Sequence, residues 1–190
     1  SDCMNIMKYK HQFHMNKNDL YCNAGMYLVD LKKWREEKVE DKIIKRIHEQ
    51  NGNVFFFEQT LMNWSCSGKI LQLPPKYNAY TLFWAFTYKN LICWRKPNAF
   101  YLESEVEEAK DNPIIIHFTR NFYMLSRPWI KGCDHPKTKE YVKYKLLTPW
   151  KQLEEDNRSK KSIRRYKLWH IIPQRILAIG AGVIYNEVRP

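Results

Sequence analysis

Between Tyr21 and Gly52 the chain changes its repeat. YCNAGMYLVDL, residues 21 to 31, is an apolar run of strand character with Gly25 inside it. KKWREEKVEDKIIKRIHEQNG, residues 32 to 52, follows directly and reads as a helix. Its apolar residues Trp34, Val39, Ile43, Ile44 and Ile47 recur at helix-like spacing, and Asn51-Gly52 closes it. A strand that runs straight into an amphipathic helix must bury its face against a layer of the other kind, which favours an α/β architecture. The alternation continues downstream. FFFEQTLMNWSC (55 to 66) begins as a buried run and becomes a helix over Gln59 to Trp64. ESEVEEAKDNP (103 to 113) is an acidic helix stopped by Asn112-Pro113, and PIIIHFTR (113 to 120) reads as a buried strand ending in His117. KTKEYVKYKLLTPW (137 to 150) is a further helix. LPPKYN (73 to 78) and RPWIKGCDHP (127 to 136) are turn-rich connections. The expected fold class is α/β with a mixed sheet.

Residues 1 to 20 read as irregular structure or a short helix, and residues 79 to 102 are strongly aromatic without a clear period. The 190 residues suffice for one domain with a core, or for part of a larger one. At 44% hydrophobic and 15% aromatic the chain is not of the disordered class. A formal net charge of +12 favours acidic partners, whether phosphates, nucleic acid or anionic lipid. Nucleic acid is disfavoured, because no RNP-like, zinc-finger or helix-turn-helix signature is present. The five cysteines are odd in number and include no CxxC pair, so a disulfide framework or structural zinc is not expected and a reducing cytosol fits. No signal-peptide pattern opens the chain. No apolar run reaches the roughly 18 to 20 residues of a membrane span.

Three groups could carry chemistry, because ligands in α/β sheets bind at the carboxyl ends of strands. His117 ends an apolar run, and its imidazole suits either a metal or a backbone carbonyl. Arg120 and Arg127 follow it, and guanidiniums recognise phosphates in a bidentate manner, although each alone reads equally as a solvated cation. Glu58-Gln59 offers a carboxylate and an amide that can bond sugar hydroxyls, or a polar helix start where Glu favours the dipole. Asn23-Ala24-Gly25 offers small residues for close approach of a ligand together with a donor and an acceptor, or a bulge in an ordinary strand.

These stretches resemble family 8 glycosyltransferases. YCNAGMYLVDLKKWREE resembles the family's Asn-(Ser/Ala)-Gly strand and the Leu-Lys-Lys-Trp-Arg helix after it. FFFEQTLMN resembles its Asp-Gln-Asp-x-Leu-Asn block, LPPKYN its Leu-Pro-x-Lys-Tyr-Asn turn, and NPIIIHFTR its Asn-Pro-x-Ile-Ile-His block. RPW, HP and TPW resemble the end of the bacterial catalytic domain. The resemblance covers residues 20 to 150 in order. It implies a retaining GT-A fold that transfers glucose, galactose or a related sugar from a UDP-sugar, with Mn2+, to a cell-surface glycan or lipid-linked acceptor.

Residue by residue, the resemblance implies His117 as a metal ligand whose ring faces an open cleft. It implies Gln59 as the group facing the anomeric carbon. Asn23, Ala24, Gly25 and Glu58 fall in the donor-sugar pocket, and Arg120 and Arg127 fall on the diphosphate. The departures are Glu58 and Thr60 where the family has Asp, Arg120 where it has Gly, a longer gap from His117 to Arg127, and the absence of any Asp-x-Asp. The expectation is therefore that residues 1 to 150 are the C-terminal half of a catalytic domain whose nucleotide-binding strands lie upstream. The 190-residue chain alone is expected to be inactive.

Residues 151 to 190 form a basic, aromatic-bearing tail. Arg164, Arg165, Lys167, Trp169 and Arg175 are the candidate contacts to an anionic membrane surface. Similar tails in the family imply a cytoplasmic protein held peripherally on the inner face of the plasma membrane. The competing reading of the tail is a helix packed on its own domain. The competing reading of the whole is a non-catalytic basic module on a membrane.

Overall fold

The computed structural model describes residues 10–95, 100–121, 123–125 and 127–184. Cys3, one of the five cysteines, and Tyr185, Glu187 and Arg189 of the basic tail lie outside the described residues. The chain forms two compact units. One takes the residues up to Leu73 together with Phe100. The other takes Pro74–Arg95 and everything from Tyr101 onward, so the tail and residues 101 to 150 share one unit.

In the first unit the segment expected to be a strand, 21 to 31, is not one. Residues 21 to 30 form no regular element, with a turn at 24 and 25. A strand exists only where a neighbour takes up its N–H and C=O groups, and among the described residues this segment has no strand beside it. Its backbone is met by side chains instead. Helix α1, Leu31–Glu36, starts where the Asp30 carboxylate accepts from the N–H groups of Lys32 and Lys33. The single helix expected over 32 to 52 is broken at Lys38, whose φ is 51°, and resumes as α2, Val39–Glu49. Asn51 and Gly52 close it with positive φ, as expected. Val39 is buried, but Ile44 and Ile47 are exposed.

The Phe55–Phe57 run is not a buried strand either. Phe56 and Phe57 turn the backbone with φ of 58° and 45°, and Phe57 is 75% exposed. That turn launches α3, Glu58–Ser65. The core here is Phe13 against Trp64, with ring centroids 4.6 Å apart. The Arg46 guanidinium lies 3.9 Å from the Trp64 ring.

In the second unit a 3-10 turn, Pro75–Asn78, leads into β1, Ala79–Tyr80, then α4, Leu82–Ala85, and α5, Tyr88–Arg95. Helix α6, Glu103–Asp111, begins with the Glu105 carboxylate accepting from the Leu102 N–H at 2.8 Å and buries Val106 and Ala109. The isoleucine run yields only β2, Ile116–His117, paired in parallel with β1 in the register Ala79 with Ile116 and Tyr80 with His117. Ile114 and Ile115 are exposed, so the expected buried strand shrinks to its last two residues. The expected mixed sheet is this two-stranded parallel pair among the described residues.

Helix α7, Thr138–Leu146, buries none of its side chains. The tail forms α8, Lys160–Ile171, and α9, Gln174–Val183. Helix α9 packs on α5. Leu177 and Ala178 are buried, and Gly182 lies so close to α5 that an added Cβ would stand 3.0 Å from the Trp94 carbonyl oxygen. The Gln174 side chain fastens the start of α5. Its amide oxygen accepts from Asn90 Nδ2 at 2.7 Å and its Nε2 donates to the Ala85 carbonyl at 2.9 Å. The packed-helix reading therefore holds for α9. Helix α8 has no fully buried residue.

Candidate functional site

In the first unit three of the predicted residues meet. Gln59, in the first turn of α3, turns its Oε1 toward the 22–25 turn. That oxygen accepts from Asn23 Nδ2 at 3.2 Å and from the Ala24 N–H at 3.3 Å. Asn23 Oδ1 in turn accepts from the Gly25 N–H at 2.9 Å, a local Asx turn. Asn23 and Gly25 are exposed, while Ala24 and Gln59 are half-buried. Polar groups thus collect around Gln59 at a surface. Glu58 is exposed beside them. Burial and the Glu58 charge together push the Tyr27 phenol up to about 12, so it stays a hydrogen-bond donor at neutral pH.

Beneath this group lies a bracket that the sequence reading missed. Asn63 is 1% exposed. Its Oδ1 accepts from the Cys22 N–H at 2.7 Å, and its Nδ2 donates to the carbonyls of Cys22 at 2.8 Å and Gln59 at 2.7 Å. The side chain stands in for a neighbouring strand and ties the 22–25 turn to the residue that the turn faces. Thr60, fully buried, bonds the Tyr21 hydroxyl at 2.7 Å and donates to the Phe55 carbonyl. The signal for both was the FFFEQTLMN block itself, whose last residue is Asn63.

His117 belongs to the second unit, on β2. Its Nδ1 and Asn78 Oδ1 are 3.0 Å apart. A carboxamide oxygen only accepts, so Nδ1 carries the proton and Nε2 keeps its lone pair. Burial, followed by the Arg127 charge, holds the imidazole below its ordinary titration range, so the ring is neutral at physiological pH. A neutral imidazole whose second nitrogen is held by a partner is the form in which histidine ligates metals. It would supply one ligand. Among the described residues no three His, Cys, Asp or Glu side chains gather to hold a metal. Asn78 ends the LPPKYN turn, and its role was also missed in the sequence.

The two candidate arginines diverge. Arg127 acts electrostatically on His117, and its guanidinium lies 5.0 Å from the Trp129 ring centroid. Arg120 instead lines a cleft with the start of α8, and neither His117 nor Arg127 lines that cleft. On the tail, Arg164, Arg165, Lys167 and Arg175 are exposed, whereas Trp169 is half-buried. One side of α8 is fastened to the loop before α7. The Tyr166 hydroxyl donates to Asp134 Oδ2 at 2.8 Å, and the His170 ring stacks on Tyr123 with centroids 4.4 Å apart. Among the described residues no helix is long and apolar enough to cross a membrane.

Comparison with known proteins converges on the same stretches. The chain is 30% identical over 171 residues to a lipopolysaccharide 1,2-glucosyltransferase of Escherichia coli strain K12, covering 87% of this chain and 45% of that protein. It is 26% identical over 140 residues to general stress protein A of Bacillus subtilis strain 168, covering 72% of this chain and 45% of that one. A putative glycosyltransferase of Haemophilus influenzae is 32% identical over 78 residues, 40% of this chain and 24% of that protein. The chain spans less than half the length of these relatives. No solved structure matches. The model of glycosyl transferase family 8 matches residues 1–131, which hold the Gln59 group, the Asn63 bracket and His117, and the chain belongs to that family.

Proposed function

We propose that this chain is the C-terminal half of a retaining hexosyltransferase with a GT-A catalytic domain. The enzyme moves a glucose- or galactose-type sugar from a UDP-sugar to a cell-surface glycan or lipid-linked acceptor. The observation that carries the reading is the Gln59 carboxamide held against Asn23 and Ala24. Family membership and the name of the E. coli relative support the substrate class.

In this reading Asn23, Ala24, Gly25 and Glu58 receive the donor sugar by hydrogen bonds from the turn and the carboxylate. Gln59 presents an uncharged oxygen to the sugar. An amide oxygen stabilises positive charge developing at the anomeric carbon without being a strong base, and Asn63 fixes its position from below. His117 offers the Nε2 lone pair to Mn2+, and Arg127 beside it takes the donor diphosphate. When bound, the metal acts as a Lewis acid on the leaving diphosphate. Further ligands would come from outside the described residues. The exposed cations of α8 and α9, Arg164, Lys167 and Arg175, face anionic lipid and hold the enzyme peripherally at the cytoplasmic leaflet.

Steady-state kinetics of Gln59→Ala in the complete enzyme tests the chemistry. A fall in kcat larger than the change in donor affinity is expected, because the loss falls on the transition state. Collapse of donor affinity with kcat intact would make Gln59 a binding residue only.

A further inference from the structure

The start of α8 and the loop before it enclose a cleft of about 410 Å³. Four cations line it: Arg120, Arg158, Lys161 and Arg165. Lys161 and Arg165 lie four positions apart on α8 and so share one face, while Arg158 stands just before the Ser159 cap and lines the same cleft. Arg120 comes from the segment after β2. Among the described residues none of the four makes an ion pair. The Arg158 Nε and Nη2 atoms are buried without a hydrogen-bond partner. Ser159 caps α8 with its hydroxyl on the Ser162 N–H, and both serines line the cleft. The positive end of the 12-residue helix therefore opens into the same space.

Four like charges gathered without carboxylates repel one another, and desolvated guanidinium N–H groups are costly when unpaired. A dianionic, multi-oxygen ligand relieves both at once. A planar guanidinium fork fits phosphate oxygens, and helix N-termini receive phosphates through free N–H groups.

We propose that this cleft is a phosphate-binding site, separate from the residues assigned above to sugar transfer except for Arg120, and taking a phosphomonoester or diphosphate group. It stands whether or not the transfer reading does. The phosphate can be free or carried by a lipid headgroup. The reaction chemistry named above does not require it.

Isothermal titration of the 190-residue chain with inorganic pyrophosphate at low salt is the first arm. Co-sedimentation with phosphatidylglycerol-containing and pure phosphatidylcholine vesicles is the second. Both use Arg158→Gln, Arg165→Gln and, as a control of equal charge change on α7, Lys139→Gln. The expected result is saturable binding weakened at least tenfold by Arg158→Gln and by Arg165→Gln and left unchanged by Lys139→Gln. If pyrophosphate releases the protein from the anionic vesicles, the phosphate comes from the headgroup. If only the titration shows the arginine dependence, it comes from a soluble ligand. The proposal is overturned if neither probe depends on Arg158 and Arg165 more than on Lys139. Arg165 is exposed, so its substitution reports even if Arg158→Gln fails to fold.

Discussion

The side chain of Asn63 holds the main chain of Cys22 by both its N–H and its C=O, as an adjacent strand would. One carboxamide thereby replaces a stretch of sheet ladder. Asn63→Ala leaves the two Cys22 groups and the Gln59 carbonyl without this partner. Each buried polar group left unmatched costs about 1–3 kcal/mol, but Cys22 and Gln59 are only half-buried and water recovers part of the loss, so a total of roughly 2–4 kcal/mol is expected in urea denaturation. A change within experimental error would mean that water replaces the bracket at no cost.

The second prediction separates ligand from holder at the histidine. In the complete enzyme, His117→Ala should lower turnover and weaken Mn2+ dependence. Asn78→Ala keeps the imidazole but frees its tautomer and ring angle, and should weaken metal affinity about 10-fold or more. Because burial and Arg127 hold the His117 pKa below its ordinary range, the proposed Mn2+ requirement should persist at pH 6.5. A metal titration of Asn78→Ala that matches the native protein would sink the tautomer argument.

His135 makes the stability of the second unit depend on pH. It is 2% exposed, its ring lies edge-on to Trp84 and Phe118, and Nε2 has no partner. Burial lowers its pKa from 6.5 to about 4, against a smaller opposing pull from Asp134. Between those values the unfolded chain binds a proton that the folded chain refuses, so stability rises with pH. The contribution, up to about 3 kcal/mol, is complete above pH 6.5 and lost as pH falls toward 4. Melting curves across that window should show the loss for native protein and a flatter profile for His135→Phe. Parallel profiles would put the titrating group elsewhere.

Gly182 tests the packing of the last helix. A methyl group there would stand 3.0 Å from the Trp94 carbonyl oxygen and 3.4 Å from its Cα, both backbone atoms that cannot rotate away. Gly182→Ala should cost about 1–3 kcal/mol through separation of α5 and α9, although alanine favours helix. Gly180 has nothing within 4 Å of the same added atom, so Gly180→Ala should be neutral or stabilising. The two thermal shifts should therefore differ in sign or in size. Equal shifts would contradict the contact.

What could be read in advance follows how local the cause is. The acidic helix ended by Asn112-Pro113, the helix after Phe57 and the Asn51-Gly52 stop rest on neighbours in sequence, and each stands as expected. The strands over 21 to 31 and 113 to 117 required partners that apolar runs do not name, and there the expectation gave way to turns and exposed isoleucines. Gln59 with Asn23 and Ala24 was legible because the family motif marked all three. Asn63 and Asn78 lie inside the FFFEQTLMN and LPPKYN motifs, yet nothing in composition shows that an asparagine holds a backbone or a ring. The cleft at Arg158 was unreadable for the same reason, because its fourth cation comes from a distant segment.

The parallel pairing of Ala79 with Ile116 and Tyr80 with His117 has a temporal consequence. Helices α4, α5 and α6 all lie between the two strands. The chain must therefore close a long loop before the first of these bonds can form, and loop closure slows non-local contacts relative to helices. The Asn78 grip on the His117 imidazole depends on that closure. The order of events in refolding should place helix formation first and imidazole anchoring last, so hydrogen exchange at Ala79 and Thr81 should become protected after exchange within α6. The histidine would then acquire its fixed tautomer only in the final step of folding, and a partly folded chain would carry a ring free to titrate and turn.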